Sequence, residues 1–366
     1  MIDFRYHLVS LISVFLALAV GIVLGAGPLK DPIANGLQQS VQQLRQDNES
    51  LRDQLKTAQA GSANRDTFLG QLEPELVGDQ LGGRSVVLVT LPGADVDAVR
   101  PLTKTLTDAG AKVTGRVDVQ ESWADPASRA ARDKAVAALQ GASGGLVGAT
   151  PTPSASASRA AGNASGAASG SSPSPGVSPS ATAGPGATNP DDTSGDVAAA
   201  RLLARALLTT DLATSEKTDE LERTLLDGLS KAGLVDVNGD VPGRATQVVV
   251  LAPVVAQAVQ GATPSPSPSV DPTRTWVSLA QVLDDASTGA VVVGPASAAT
   301  SGGVVNAIRG QSQLAGSLST VDTGSTPMGD VTTVFALREQ QLGGAGNYGF
   351  GDGAKAPLPA RAAGGS

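Results

Sequence analysis

The chain passes through three hydrophobic patterns along its length. From Leu8 to Ala26 nineteen residues pass without a charge. At about 1.5 Å per helical residue they reach close to 30 Å, the thickness of a bilayer's hydrocarbon core. A cleaved leader has a shorter apolar run of about 7–15 residues and an A-x-A-like exit. Here Gly25, Ala26 and Gly27 are small enough for a peptidase, but Pro28 follows at once and fits a cleavage site poorly. The pattern predicts a retained signal anchor over 1–30, with cleavage as the alternative. Arg5 before the run and Lys30 behind it leave only a slight preference for a cytoplasmic amino terminus. The expectation is a single-pass protein of the cell membrane with an extracytoplasmic carboxyl-terminal domain.

The period then becomes that of a heptad. Leu37, Val41, Leu44, Asn48, Leu51, Leu55 and Ala58 recur at alternating steps of four and three, predicting a short coiled coil over 31–61. Leu37, Leu44, Leu51 and Ala58 take position d; Val41, Asn48 and Leu55 take position a. A polar Asn at one a position costs stability but favours a parallel dimer in fixed register. Asp47 at g and Arg52 at the next e add opposite charges across such a seam. Three heptads are marginal alone, and a shared membrane plane raises the partners' effective concentration. An amphipathic helix packed on its own domain is the other reading of the same spacing.

From Arg84 short continuous apolar runs alternate with helical segments. "RSVVLVTLPGAD", "AKVTGRVDV", "ATQVVVLAP", "GAVVVGP" and "TTVFALRE" read as strands, several buried on both faces. Helices fall between them, in "DVDAVRPLTKTLTDAGAKV" with Ala98, Leu102, Leu106 and Ala109 on one face and Gly110 closing it, and at Asp125–Leu139, Val197–Leu208 and Glu216–Ala232. The last is marked by Leu221, Leu225, Leu226 and Leu229 with Gly233 just beyond. This predicts a mostly parallel, doubly wound α/β domain made of 80–140 and 196–342. Residues 141–195 are almost wholly Ala, Gly, Ser, Thr and Pro, and so predict a disordered insert. A shorter Pro/Ser-rich loop occupies 261–273 and a Gly-rich tail 343–366. No run of ten-residue alternating strands marks a membrane β-barrel.

Composition narrows the chemistry. A net charge of −8, with no basic cluster, argues against nucleic acid. There is no Cys, one His (His7) and two Met (Met1 and Met328), so thiol nucleophiles, disulfides and a Ser-His-Asp triad in the α/β domain are ruled out. His7 reads as an interfacial residue beside Tyr6. Asp95 and Asp97 follow the first strand, where a ligand site or a helix cap both fit. The Gly302–Gly303 pair stands at another strand end, without Lys or Arg to hold a phosphate. No catalytic pair stands out, and the expectation is a protein without enzyme activity. The tail "GNYGFGDGA" sets Tyr348 and Phe350 among glycines. Asn347, Tyr348, Gly349, Phe350 and Gly351 are the candidate ligand or partner segment, unless the tail docks back on the sheet.

The segments "HLVSLISVFLALAVGIVLGAG" and "GNYGFGDGA", with the coiled coil and interrupted α/β pattern between them, resemble the actinobacterial copper-transport proteins of the MctB type. The resemblance implies copper transport or homeostasis at the cell envelope, in a family with some members described as outer-membrane channels. It implies copper only as cargo; no cofactor is evident and the metal-ligating residues are left open. Copper(I) prefers thiolate, thioether or imidazole donors, and this chain is nearly devoid of them. A dimeric envelope scaffold that recruits cell-wall or cell-division proteins is the alternative function.

Overall fold

The computed structural model describes residues 3–26, 30–142, 194–212, 219–239, 243–255 and 271–360. It divides into two units, one up to Phe68 and one from Leu69. Most of the insert at 141–195, most of the loop at 261–273 and the end of the tail lie outside the described residues.

The first unit is helical. α1 runs Asp3–Ala26 and α2 runs Lys30–Val77. Within α1, Arg5–Val23 is long and apolar enough to cross a membrane, with mean hydropathy 2.3 and all of its residues exposed. On α2, Val41, Leu44, Asn48, Leu51 and Leu55 are all exposed. The side chain of Leu37 lies outside the described residues, although its backbone is helical.

The second unit is a mixed α/β domain around a seven-stranded sheet. Its strands are β1 (Ser85–Thr90), β2 (Lys112–Val119), β3 (Val235–Asn238), β4 (Gln247–Leu251), β5 (Ala290–Val293), β6 (Ser319–Val321) and β7 (Asn347–Tyr348). Their order is β3-β2-β1-β4-β5-β6-β7. Every neighbouring pair is parallel except β2 and β3. Apolar residues at successive positions of β1 serve opposite faces: Val86 and Leu88 belong to one core, Val87 and Val89 to the other. That is why the run is continuous rather than alternating. The first core is closed by α3 (Val99–Asp108), α9 (Pro327–Gln341) and the end of α2, with Leu102, Leu106, Val334, Leu337 and Val77. The second is closed by α4 (Arg129–Ala142), α5 (Ser194–Leu207), α6 (Glu220–Lys231), α7 (Thr273–Asp285) and α8 (Val304–Arg309).

One predicted strand is overturned. "TTVFALRE" lies inside α9, not in the sheet. Thr326 caps that helix by accepting from the Gly329 N–H at 3.2 Å, and Pro327 opens its first turn. Gly329 to Leu337 are all buried, so the apolar run has no polar side to reveal a helical period. Conversely, β6 and β7 are too short for any pattern. Asp95 resolves as a cap: its Oδ1 accepts from the Asp97 N–H at 3.1 Å, opening the turn that feeds α3.

Candidate functional site

The tail segment is built into the sheet. Asn347 and Tyr348 form β7 beside Thr320 and Val321 of β6. Beneath them Arg309, the last residue of α8, meets Asp322 at 2.7 Å, their side chains only 2% and 1% exposed. Every arm of the guanidinium is used. Nε donates to the Thr320 hydroxyl at 2.9 Å, Nη1 also reaches the Asp352 carbonyl at 2.9 Å, and Nη2 donates to the Tyr348 carbonyl at 2.9 Å. The Thr320 hydroxyl in turn donates to Asn347 Oδ1 at 3.0 Å. Asp322 accepts from the backbone N–H groups of Phe350 and Gly351, each at 2.9 Å. A buried ion pair repays its desolvation only with such complete hydrogen bonding.

This explains the glycines. Gly349 has φ +125°, and a Cβ there would overlap the Asp322 carboxylate; one at Gly351 would press on Ala299. Only a chain without side chains at these points lets its N–H groups close over the carboxylate. The tail therefore docks, and Tyr348 is buried, its hydroxyl donating to Glu339. Burial, then the hydrogen bond and charge of Glu339, push the Tyr348 phenol well above its ordinary range. Phe350 alone turns outward, 68% exposed. All five candidate residues are thus built into the contacts of β6 and Asp322, and Phe350 alone also presents an apolar side chain outward. Sequence reasoning missed Arg309 and Asp322. The available signal was a lone Arg closing a short apolar helix and a lone Asp ending an apolar run.

The strand carboxyl ends carry two further features. Gly303 packs so tightly on the backbone of Ala298 that a Cβ there would overlap it, so close approach to its own chain accounts for this glycine. Asp330, 3% exposed at the start of α9, lines a small cavity with Asp95 at the ends of β4 and β5. Burial, reinforced by the negative charge of Glu73, pushes its carboxyl up to about 7. Glu73, near the end of α2, accepts from the Thr105 hydroxyl. Its own carboxyl is raised by burial, against the pull of Lys104 and with a push from Asp108.

For copper as cargo, the donor set is the test. Among the described residues no three His, Cys, Asp or Glu side chains cluster as metal ligands. The chain offers one imidazole and two thioethers in total, and Met328 stands in α9 while His7 stands in α1. A copper(I) site of soft ligands does not fit within one chain.

An apolar amino-terminal helix, a long second helix and a mostly parallel α/β domain closed by its own glycine-rich tail define the class. The chain belongs to the family described as "Copper transport outer membrane protein, MctB", which matches residues 1–183 and 177–359. Among curated proteins it is similar to the copper transporter MctB of Mycobacterium bovis and of Mycobacterium tuberculosis. Each is 34% identical over 125 residues, 34% of this chain and 40% of the relative. The copper transporter MctB of Mycobacterium leprae is 36% identical over 125 residues, 34% of this chain and 39% of the relative. The matched region thus spans about two fifths of those relatives' length.

Proposed function

We propose that this protein serves copper homeostasis at the cell envelope, as a non-enzymatic, single-pass membrane protein whose α/β domain lies outside the cytoplasm. Family membership carries the reading, and the apolar Arg5–Val23 helix supports the membrane anchor. One membrane-crossing helix does not enclose a pore, and the chain has only one imidazole and two thioethers, so copper passes through an assembly to which this chain contributes. Cellular copper in a deletion strain tests this: raised or lowered accumulation with altered copper tolerance is expected. Unchanged accumulation and tolerance would refute it. A reporter fused behind the α/β domain tests the orientation, and a cytoplasmic signal would reverse it.

A second reading is favoured by one observation. Val41, Leu44, Leu51 and Leu55 form an exposed apolar stripe on α2, with Asn48 in line. In this reading the stripe seals a parallel homodimer, which presents a paired scaffold to cell-wall or cell-division proteins. Unaltered copper handling combined with altered septation in the deletion strain selects it.

A further inference from the structure

The apolar helix α1 is not uniform around its circumference. At about 3.6 residues per turn, His7, Ser10, Val14, Ala17, Gly21 and Gly25 fall within an arc of about 80°. The bulky Leu8, Ile12, Phe15, Leu16 and Val23 take the opposite side. From His7 to Gly21 the steps alternate three and four, the spacing that keeps two helices in contact along a left-handed crossing. All six positions of the small-residue face are exposed within one chain, and a Cβ at Gly21 or Gly25 would meet nothing within 4 Å. Glycine inside a helix is unfavourable in propensity, and lipid tails give nothing in return. A second helix does, because small residues let two backbones approach closely.

A second copy of the chain fits this face. Copies anchored alike cross a membrane in one direction, so their pairing is parallel and each layer repeats one residue. The α2 stripe in the same unit, from Val41 to Leu55 with Asn48 in line, has the spacing of the same parallel pair. His7 stands near the start of the Arg5–Val23 span and is the chain's one imidazole. One chain cannot assemble soft donors, but a parallel pair brings two imidazoles to one layer. Imidazole suits copper, and two nitrogen donors complete a linear copper(I) site. We infer that two copies pair through the His7–Gly25 face of α1 and hold one copper(I) ion between their His7 imidazoles, at one mouth of the membrane span. The choice of metal rests on the copper reading, whereas the pairing face does not.

The chain has no cysteine, so single-cysteine variants report the face without background. With the full chain in phosphatidylcholine vesicles, oxidation should cross-link Ser10→Cys and Ala17→Cys at least tenfold more than Ile12→Cys. Equal cross-linking of Ile12→Cys would overturn the face. Copper(I) is then titrated into the cysteine-free chain anaerobically, under ascorbate, against bicinchoninate as competing chelator. One ion per two chains is expected. His7→Ala should weaken binding at least tenfold while Ser10→Cys in the same chain still cross-links; Gly21→Ile should weaken both. One ion per chain, or unchanged affinity in His7→Ala, would overturn the site. A copper phenotype in the deletion strain beside a purified chain that binds no copper(I) would refute this site alone. No phenotype, with cross-linking and His7-dependent binding intact, would refute the cellular copper reading alone.

Discussion

Asp322 and Asp330 flank the same turn and are equally hidden, at 1% and 3% exposure, yet they live by opposite rules. Asp322 meets a guanidinium and two backbone N–H groups, all supplied by α8 and the tail. Asp330 feels the charge of Glu73, a second acid, and burial dominates its titration. The first carboxylate organises chain that is remote in sequence; the second stores a sensitivity to pH. Burial of a carboxyl is therefore no guide to its role until its donors are counted.

Breaking the paired site gives the largest effect. Arg309→Met leaves Asp322 charged and buried with two of its donors on a tail that has lost Arg309's hold. A loss of about 3–5 kcal/mol is expected in denaturant titration of the full chain. Limited proteolysis should then cut after β6, where the wild-type tail is protected. A loss no greater than that of an exposed substitution would show that the anchor is ornamental. Gly349→Ala comes next, at about 2 kcal/mol or more, because it combines φ +125° with overlap of the Asp322 carboxylate. Gly343→Ala is its control: φ is +78°, but nothing lies within reach of the added methyl, so about 1 kcal/mol is expected.

The unpaired site gives an effect of the opposite sign. A carboxyl whose folded pKa is raised contributes stability that is full below its unfolded pKa, near 4, and is lost as pH rises through about 7. Asp330→Asn should remove that slope, making the variant more stable than wild type at pH 8 and little different at pH 4. Glu73 titrates in the same direction, with Lys104 and Asp108 facing it, so some slope remains in the variant. Thermal melts across this window check the sign. A variant less stable than wild type at pH 8 would show that Asp330 is held ionised.

The contrast also marks what the residues alone could say. The strands at Val86–Thr90, Val248–Leu251 and Val291–Val293 are legible because a strand buried on both faces leaves a β-branched run bounded by turns. α9 is illegible for the same reason, since a helix buried all round leaves an equally uniform run. The tail's glycines are conspicuous, but their cause is Asp322, a contact that local spacing does not encode. Arg309 reaches β6 and the tail only after α8 has packed against the sheet, so its role emerges from topology. Asn48 differs: the heptad spacing assigns its register directly, and the proposed meaning of that register requires a second chain.

That residue offers the smallest effect on folding and the sharpest on assembly. Asn48 is exposed on α2, as are Val41, Leu44, Leu51 and Leu55 of the same stripe. Asn48→Lys should therefore change unfolding stability by no more than about 0.5 kcal/mol, as for other exposed substitutions. In a parallel dimer the two Asn48 side chains face each other across the seam, and two lysines there would place like charges in an apolar layer. Sedimentation of the detergent-solubilised full chain should then shift from dimer toward monomer. Asn48→Leu, which keeps the seam apolar but removes the hydrogen-bonding pair, should retain association while loosening its register. If Asn48→Lys sediments like wild type, the exposed stripe on α2 serves something other than a second copy of the chain.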